Sequence, residues 1–155
     1  LKIIYNCYGG AHSSVVAGYV HCGLLKKDRI PTKQQLMSLA YFDSQQNLDH
    51  GILQYIGIDE VGNEIYSVGL KSERQFSRKC LENIAVIMGI DPESYIFVDT
   101  LAKVNWYMRI GGFLSRALGL TIIGRPLVIY GTQRAFFDIC QLVDEISQKL
   151  RGEKE

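Results

Sequence analysis

The sequence predicts an α/β fold: a three-layer α/β/α sandwich around a mostly parallel sheet of about five strands, with one β-hairpin. Three observations carry this reading. Residues 2–7 (KIIYNC), 95–99 (YIFVD) and 126–130 (PLVIY) are short, continuous apolar runs, the pattern of strands covered on both faces. Segments with apolar residues at helical spacing alternate with them. The first run is followed by a glycine turn, YGGAHSS, and then a helix, which is the first half of a βα unit.

In chain order, residues 2–7 form the first strand and residues 14–25 (SVVAGYVHCGLL) the first helix. Thr32 and Gln35 make a capping box after Pro31, opening a short helix that runs to about Leu39. Residues 43–50 (DSQQNLDH) are polar and form a loop. Residues 51–70 form the hairpin, turning in the Glu60–Glu64 segment that holds Gly62-Asn63. Ser72 and Gln75 predict a second capping box, for a helix from about Glu73 to Met88 closed by Gly89. Asp91-Pro92 is a turn, and 95–99 a strand ending in Asp99. A helix spans Val104–Leu118, weakened by Gly111-Gly112. Residues 126–130 form the last core strand, and Thr132 caps a final amphipathic helix with apolar Phe136, Ile139, Cys140 and Val143. The tail, 151–155, frays. The aromatics Tyr5, Tyr55, Tyr66, Tyr95, Trp106, Tyr107 and Phe113 are expected mostly in or against the core.

The 155 residues suit a single domain, 1–155. With 47% apolar and 21% charged residues the chain is not disordered. The net charge of +1 lacks the footprint of a nucleic-acid or membrane-surface binder, so neither partner is expected. Residues 51–100 carry four basic and eight acidic side chains, and 101–155 eight and five, which reads as a mixed solvated surface. Cys7, Cys22, Cys80 and Cys140 form no C-x-x-C pair and read as free thiols of a reducing compartment. No apolar run reaches the ~18–20 residues of a membrane span, and no signal peptide is evident, so the cytoplasm is the expected location. No metal site is expected. His21 and Cys22 are adjacent on a helix and diverge by about 100°, so they cannot readily chelate together with Cys7 and His12.

Ligands of open α/β sheets bind beyond the carboxyl ends of the strands. Those ends collect Cys7, Gly9, Gly10, His12, Ser13 and Ser14 from the first strand. The hairpin exit adds Lys71, the 95–99 run adds Asp99, and the last run adds Thr132 and Arg134. The first loop is the most informative. Its glycines allow close approach of the backbone, and the amides opening the next helix are unpaired and favour an anion. Cys7 is the candidate nucleophile and His12 the candidate base; Gly9, Gly10, Ser13 and Ser14 form the cradle. Lys71 and Arg134 are candidate cations, with Arg134 reaching the loop if the first and last strands are neighbours. Asp99 could bind a ribose, a metal or a catalytic proton. Arg109 and Arg116, seven apart on one helix face, read as a solvated stripe.

The loop fails the Walker A pattern, since Ala11 and His12 stand where glycine and lysine are needed. The stretch C-Y-G-G-A-H-S-S resembles the loop of low-molecular-weight tyrosine phosphatases and related arsenate reductases in Cys7 and Ser14, but Ser13 replaces the arginine clamp. It also resembles the phosphocysteine loop of sugar-phosphotransferase IIB domains, C-x-x-G-x-x-[ST]-S, at Cys7, Gly10, Ser13 and Ser14. That resemblance implies a phosphoryl group carried on Cys7. Over its full length the chain, with IIYNCYGGAHSSVVAGYVHCGLL, DRIPT and IGRPLVIYGTQRAFFD, resembles a bacterial domain-of-unknown-function family numbered 3189, which implies no activity.

The expected function is binding of a nucleotide or phosphorylated small molecule at the first loop, with phosphoryl or group transfer through Cys7. The alternative is a non-enzymatic regulatory or protein-interaction module of the same fold. A homodimer is compatible with either, and the residues do not identify a cofactor.

Overall fold

The structure, a computed structural model, describes residues 1–44 and 50–152. Four strands form one open sheet in the order β2-β3-β1-β4: β1 is Lys2–Cys7, β2 Gln54–Ile58, β3 Glu64–Gly69 and β4 Tyr95–Asp99. β1 runs parallel to both neighbours, with Cys7 opposite Gly69 of β3 and Asn6 opposite Asp99 of β4. β2 and β3 are the antiparallel hairpin, with a bulge between Tyr55 and Gly57. The sheet is therefore mixed and four-stranded, rather than mostly parallel with about five strands.

Alternation along the strands sorts side chains onto two faces. Ile3, Tyr5, Ile65 and Val98 face α1 (Ser13–His21) and α5 (Thr121–Gly152), joining Val15, Val16, Phe136, Ile139 and Val143 in the main core. Ile4 and Val68 face the other way, where Leu81 of α3 (Arg74–Ile87) covers them together with Tyr66, Tyr95 and Phe97. That second layer is thin, because no residue of α3 is fully buried.

The short helix α2 (Lys33–Ser38) opens as expected: the Gln35 N–H donates to Thr32 Oγ1 at 3.2 Å and the Thr32 N–H to Gln35 Oε1 at 2.8 Å. The second box does not form, since Glu73 holds the cap position of α3 without a side-chain bond. Gly89 does close that helix, at φ 71°. The helix expected over Val104–Leu118 begins at Trp106 and changes from α to π geometry part-way. Asn105 caps α4 (Trp106–Gly112), and a π-helical turn follows over Phe113–Ala117.

Residues 126–130 are not a strand. They lie inside α5, and Thr132 is buried in mid-helix rather than capping it. Five apolar residues are too few to separate a buried strand from a buried helix. What decides is a row of Gly124, Val128 and Gly131 at spacings of four and three, against which α4 packs. A Cβ on Gly131 would lie 2.7 Å from the Met108 amide nitrogen, and one on Gly111 2.6 Å from that of Val128. Pro126 removes one bond of the second turn, to the carbonyl of exposed Ile122.

Tyr5 is buried as expected, but Tyr55, Trp106, Tyr107 and Phe113 are exposed. Arg151 and Gly152 continue α5, and the rest of the tail, like 45–49 of the polar loop, lies outside the described residues. Among the described residues, no helix is long and apolar enough to cross a membrane.

Candidate functional site

β1 lies between β3 and β4, so the chain leaves it towards one side and returns on the other. The crevice of such a sheet opens at the carboxyl end of that strand, here at Cys7. The turn beyond it is clamped to β3. The Leu70 N–H donates to the Cys7 carbonyl at 3.0 Å and the Lys71 N–H to the Tyr8 carbonyl at 2.9 Å. Gly69 lets the two segments touch: a Cβ there would lie 2.6 Å from the carbonyl carbon and oxygen of Gly9. The clamp leaves Lys71 at φ 56°, beside the loop.

Within the loop the Gly10 N–H donates to Cys7 Sγ at 3.1 Å, and Ser14 Oγ lies 3.2 Å from the same sulfur. Thr100 donates its hydroxyl to the Asn6 carbonyl at 3.0 Å, so Ser13, 2.8 Å from Thr100 Oγ1, is the donor in that pair. The first bond of α1 runs from Val16 to the His12 carbonyl. Among the described residues, the N–H groups of Gly9, Ala11, His12 and Ser13 meet no protein acceptor. They therefore remain available as donors.

These residues line a cavity of about 480 Å³. The loop contributes Cys7, Tyr8, Gly9, Ala11, His12 and Ser13. Leu101, Val104, Met108 and Phe113 supply an apolar wall, while Lys71, Arg109, Arg116 and His50 supply nitrogen. No Asp or Glu lines it among the described residues. Lys71 and Arg109 make no ion pair among the described residues, so their charge faces the cavity uncompensated.

Behind this wall sits Asp43, buried and at φ 48°. It receives Arg125 Nε at 2.8 Å, Arg116 Nε at 3.1 Å, the Ser115 hydroxyl at 3.0 Å and His12 Nε2 at 3.2 Å. Its own N–H donates to the Ala11 carbonyl at 3.0 Å. Burial opposes its ionisation, but the bonds from His12 and Arg125 and the charge of Arg116 prevail, holding the carboxyl down at about 2. Asp43 thus ties the first loop to α5 and the π-turn. With Nε2–H directed at Asp43, neutral His12 keeps its other ring nitrogen as an acceptor.

Of the expected site residues, Cys7, Gly9, His12, Ser13 and Lys71 meet around the cavity, with Gly10 and Ser14 holding the sulfur. Asp99, Thr132 and Arg134 do not line it. Asp99 accepts from the Leu101 N–H at 2.8 Å and pairs with Arg74 Nε at 3.0 Å. Arg134, on α5, reaches the hydroxyl and ring of Tyr130 instead, because the strand that would have aimed it is helix. Thr132 is sealed in the core, its Oγ1 without a partner among the described residues. Arg109 and Arg116, read as a solvated stripe, line the cavity instead. Their seven-residue spacing was visible, but the face it marked depended on where α4 docks. Asp43 left no sequence signal beyond its place in a polar loop.

The family model described as "Protein of unknown function (DUF3189)" matches residues 2–148. The chain belongs to that family. No curated protein and no solved structure matches it. The DUF3189 match runs from the start of β1 into α5 and covers every cavity-lining residue.

Proposed function

We propose that this chain binds a phosphate-bearing small organic molecule, a nucleotide or a phosphorylated metabolite, at the carboxyl end of β1. One observation carries the reading: a cavity in which Lys71 and Arg109 stand uncompensated beside unpaired loop amides, opposite an apolar wall. Oriented amides and guanidinium groups suit a phosphate, and the wall formed by Leu101, Val104, Met108 and Phe113 suits the organic part of such a ligand. Arg109 stands in for the clamp that the loop itself lacks at Ser13.

The reaction that fits is phosphoryl transfer through Cys7. His12 takes the thiol proton and Sγ attacks phosphorus. The bond from phosphorus to the leaving oxygen breaks with its electrons, and that oxygen recovers the proton from His12. Water or a second acceptor then displaces Cys7 from phosphorus. One observation favours a second reading, a ligand-sensing module without turnover: Cys7 is only 4% exposed.

Calorimetric titration with ADP, a sugar phosphate, inorganic phosphate and adenosine tests the binding. Phosphorylated ligands should bind and adenosine should not, and Lys71→Ala and Arg109→Ala should each weaken binding about tenfold. Failure of every phosphate to bind sinks the reading. Hydrolysis of p-nitrophenyl phosphate separates its two forms. Cys7→Ser should keep binding and lose turnover, whereas binding without turnover in the parent protein selects the sensing module.

A further inference from the structure

Polar groups of a ligand must find their opposites when a site takes them out of water, and the cavity at the end of β1 is one-sided in this respect. Donors are plentiful: the ammonium of Lys71, the guanidinium of Arg109 and the N–H groups of Gly9, Ala11 and His12. Acceptors are scarce. Among the described residues, no Asp, Glu, Asn or Gln lines the cavity. The loop carbonyls of Cys7, Tyr8, Ala11 and His12 already accept from the N–H groups of Leu70, Lys71, Asp43 and Val16. Cys7 Sγ already accepts from the Gly10 N–H. The remaining wall is hydrocarbon, and it comes from one stretch of chain, residues 101–113, through Leu101, Val104, Met108 and Phe113. Phe113 lines this wall yet stays 59% exposed, and among the described residues its ring stacks on no other.

We propose that the 101–113 stretch selects a phosphate ester whose organic part is apolar, an alkyl or aryl group without hydroxyls. This selectivity rests on the phosphate binding already proposed and narrows it. An ionised phosphate only accepts hydrogen bonds, so amides, Lys71 and Arg109 satisfy it completely. A sugar hydroxyl must also donate, and each one set against this wall gives up a bond to water without gaining another. A hydrocarbon gives up no bond there, and it removes the apolar surface of Leu101, Val104, Met108 and Phe113 from water. The volume, about 480 Å³, is that of a small-molecule site.

Phenyl phosphate and glucose 6-phosphate test this as a matched pair. Both are dianions at pH 8, above the second phosphate pKa of about 6, and both carry a six-membered ring, so the comparison isolates the organic part. In calorimetric titration the full chain should bind phenyl phosphate at least about tenfold more tightly than glucose 6-phosphate. Leu101→Gln with Phe113→Gln places amide groups on the wall and should bring the two affinities within about threefold of each other. Phe113→Gln alone, at an exposed position, should move the ratio in the same direction while preserving the far-ultraviolet circular dichroism. Equal affinities in the parent protein, or a preference for glucose 6-phosphate, overturn the selectivity and leave the phosphate binding standing. A ratio unchanged in the folded variants also overturns it, since the wall then does not select. Failure of both esters and of inorganic phosphate to bind overturns the selectivity and the phosphate binding together.

Discussion

Asp43 shows how one carboxylate organises a site that it does not line. Two guanidinium groups, an imidazole and a hydroxyl converge on its two oxygens, and its side chain is sealed from solvent. Replacing it removes the buried carboxylate on which Arg116 and Arg125 converge, and breaking a buried pair in this way costs about 3 kcal/mol. The pH dependence has a definite sign. The folded carboxyl titrates at about 2, below its ordinary 3.8, so its stabilisation is complete above about pH 4 and is lost as pH falls through 2. Urea unfolding of Asp43→Asn should therefore show a stability deficit at pH 7 that narrows by about 2 kcal/mol at pH 2. A gap that stays constant with pH would show that the loss is one of packing alone.

Glycines at contacts between elements set how closely those elements approach, and the clamp between β3 and the first loop gives a controlled comparison. A methyl group on Gly69 would collide with the Gly9 backbone, whereas one on Gly9 meets nothing within 4 Å. Gly69→Ala should cost about 2 kcal/mol in thermal or urea unfolding and also weaken the proposed phosphate binding, because the loop must move. Gly9→Ala should stay within about 0.5 kcal/mol of the parent. Equal losses in the two variants would mean that the clamp does not position the loop. The contact between α4 and α5 follows the same logic through Gly111 and Gly131, and it brings Arg109 and Arg116 to the cavity.

Across the molecule, a buried polar relay joins three parts of the fold. The hydroxyl of Tyr5, on β1, lies 2.6 Å from Nδ1 of His21 at the end of α1, and His21 Nε2 lies 3.3 Å from Asp59 in the β2–β3 turn. Asp59 also accepts from the N–H groups of Val61 and Asn63, which shapes that turn. Burial pushes the His21 imidazole below its ordinary range, with Lys27 adding to the effect and Asp59 opposing it. The unfolded chain therefore binds the proton first as pH falls below about 6.5, so folding stability rises with pH through that window and declines on acidification. Urea midpoints between pH 7.5 and pH 5 should fall more steeply for the parent than for His21→Asn. Parallel slopes would show that His21 is not the group responsible.

Much of this was legible locally. The alternating and apolar runs of β1, the hairpin and β4, the Thr32 cap, the Gly89 stop and the Cys7–Ser14 loop follow from backbone preference and short-range hydrogen bonding, which act within a few residues. The loop residues therefore found one another around the same cavity. The 126–130 run could not be assigned in this way, because strand and helix bury five apolar residues equally well. The choice came from α4 packing against Gly124, Val128 and Gly131. The same docking turned Arg109 and Arg116 inward, left Arg134 on Tyr130, and joined Asp43 to partners more than seventy residues away. Local sequence determined the Cys7–Ser14 loop. Tertiary structure alone determined the charge facing it, because the surroundings of a helix face depend on contacts between segments remote in the chain.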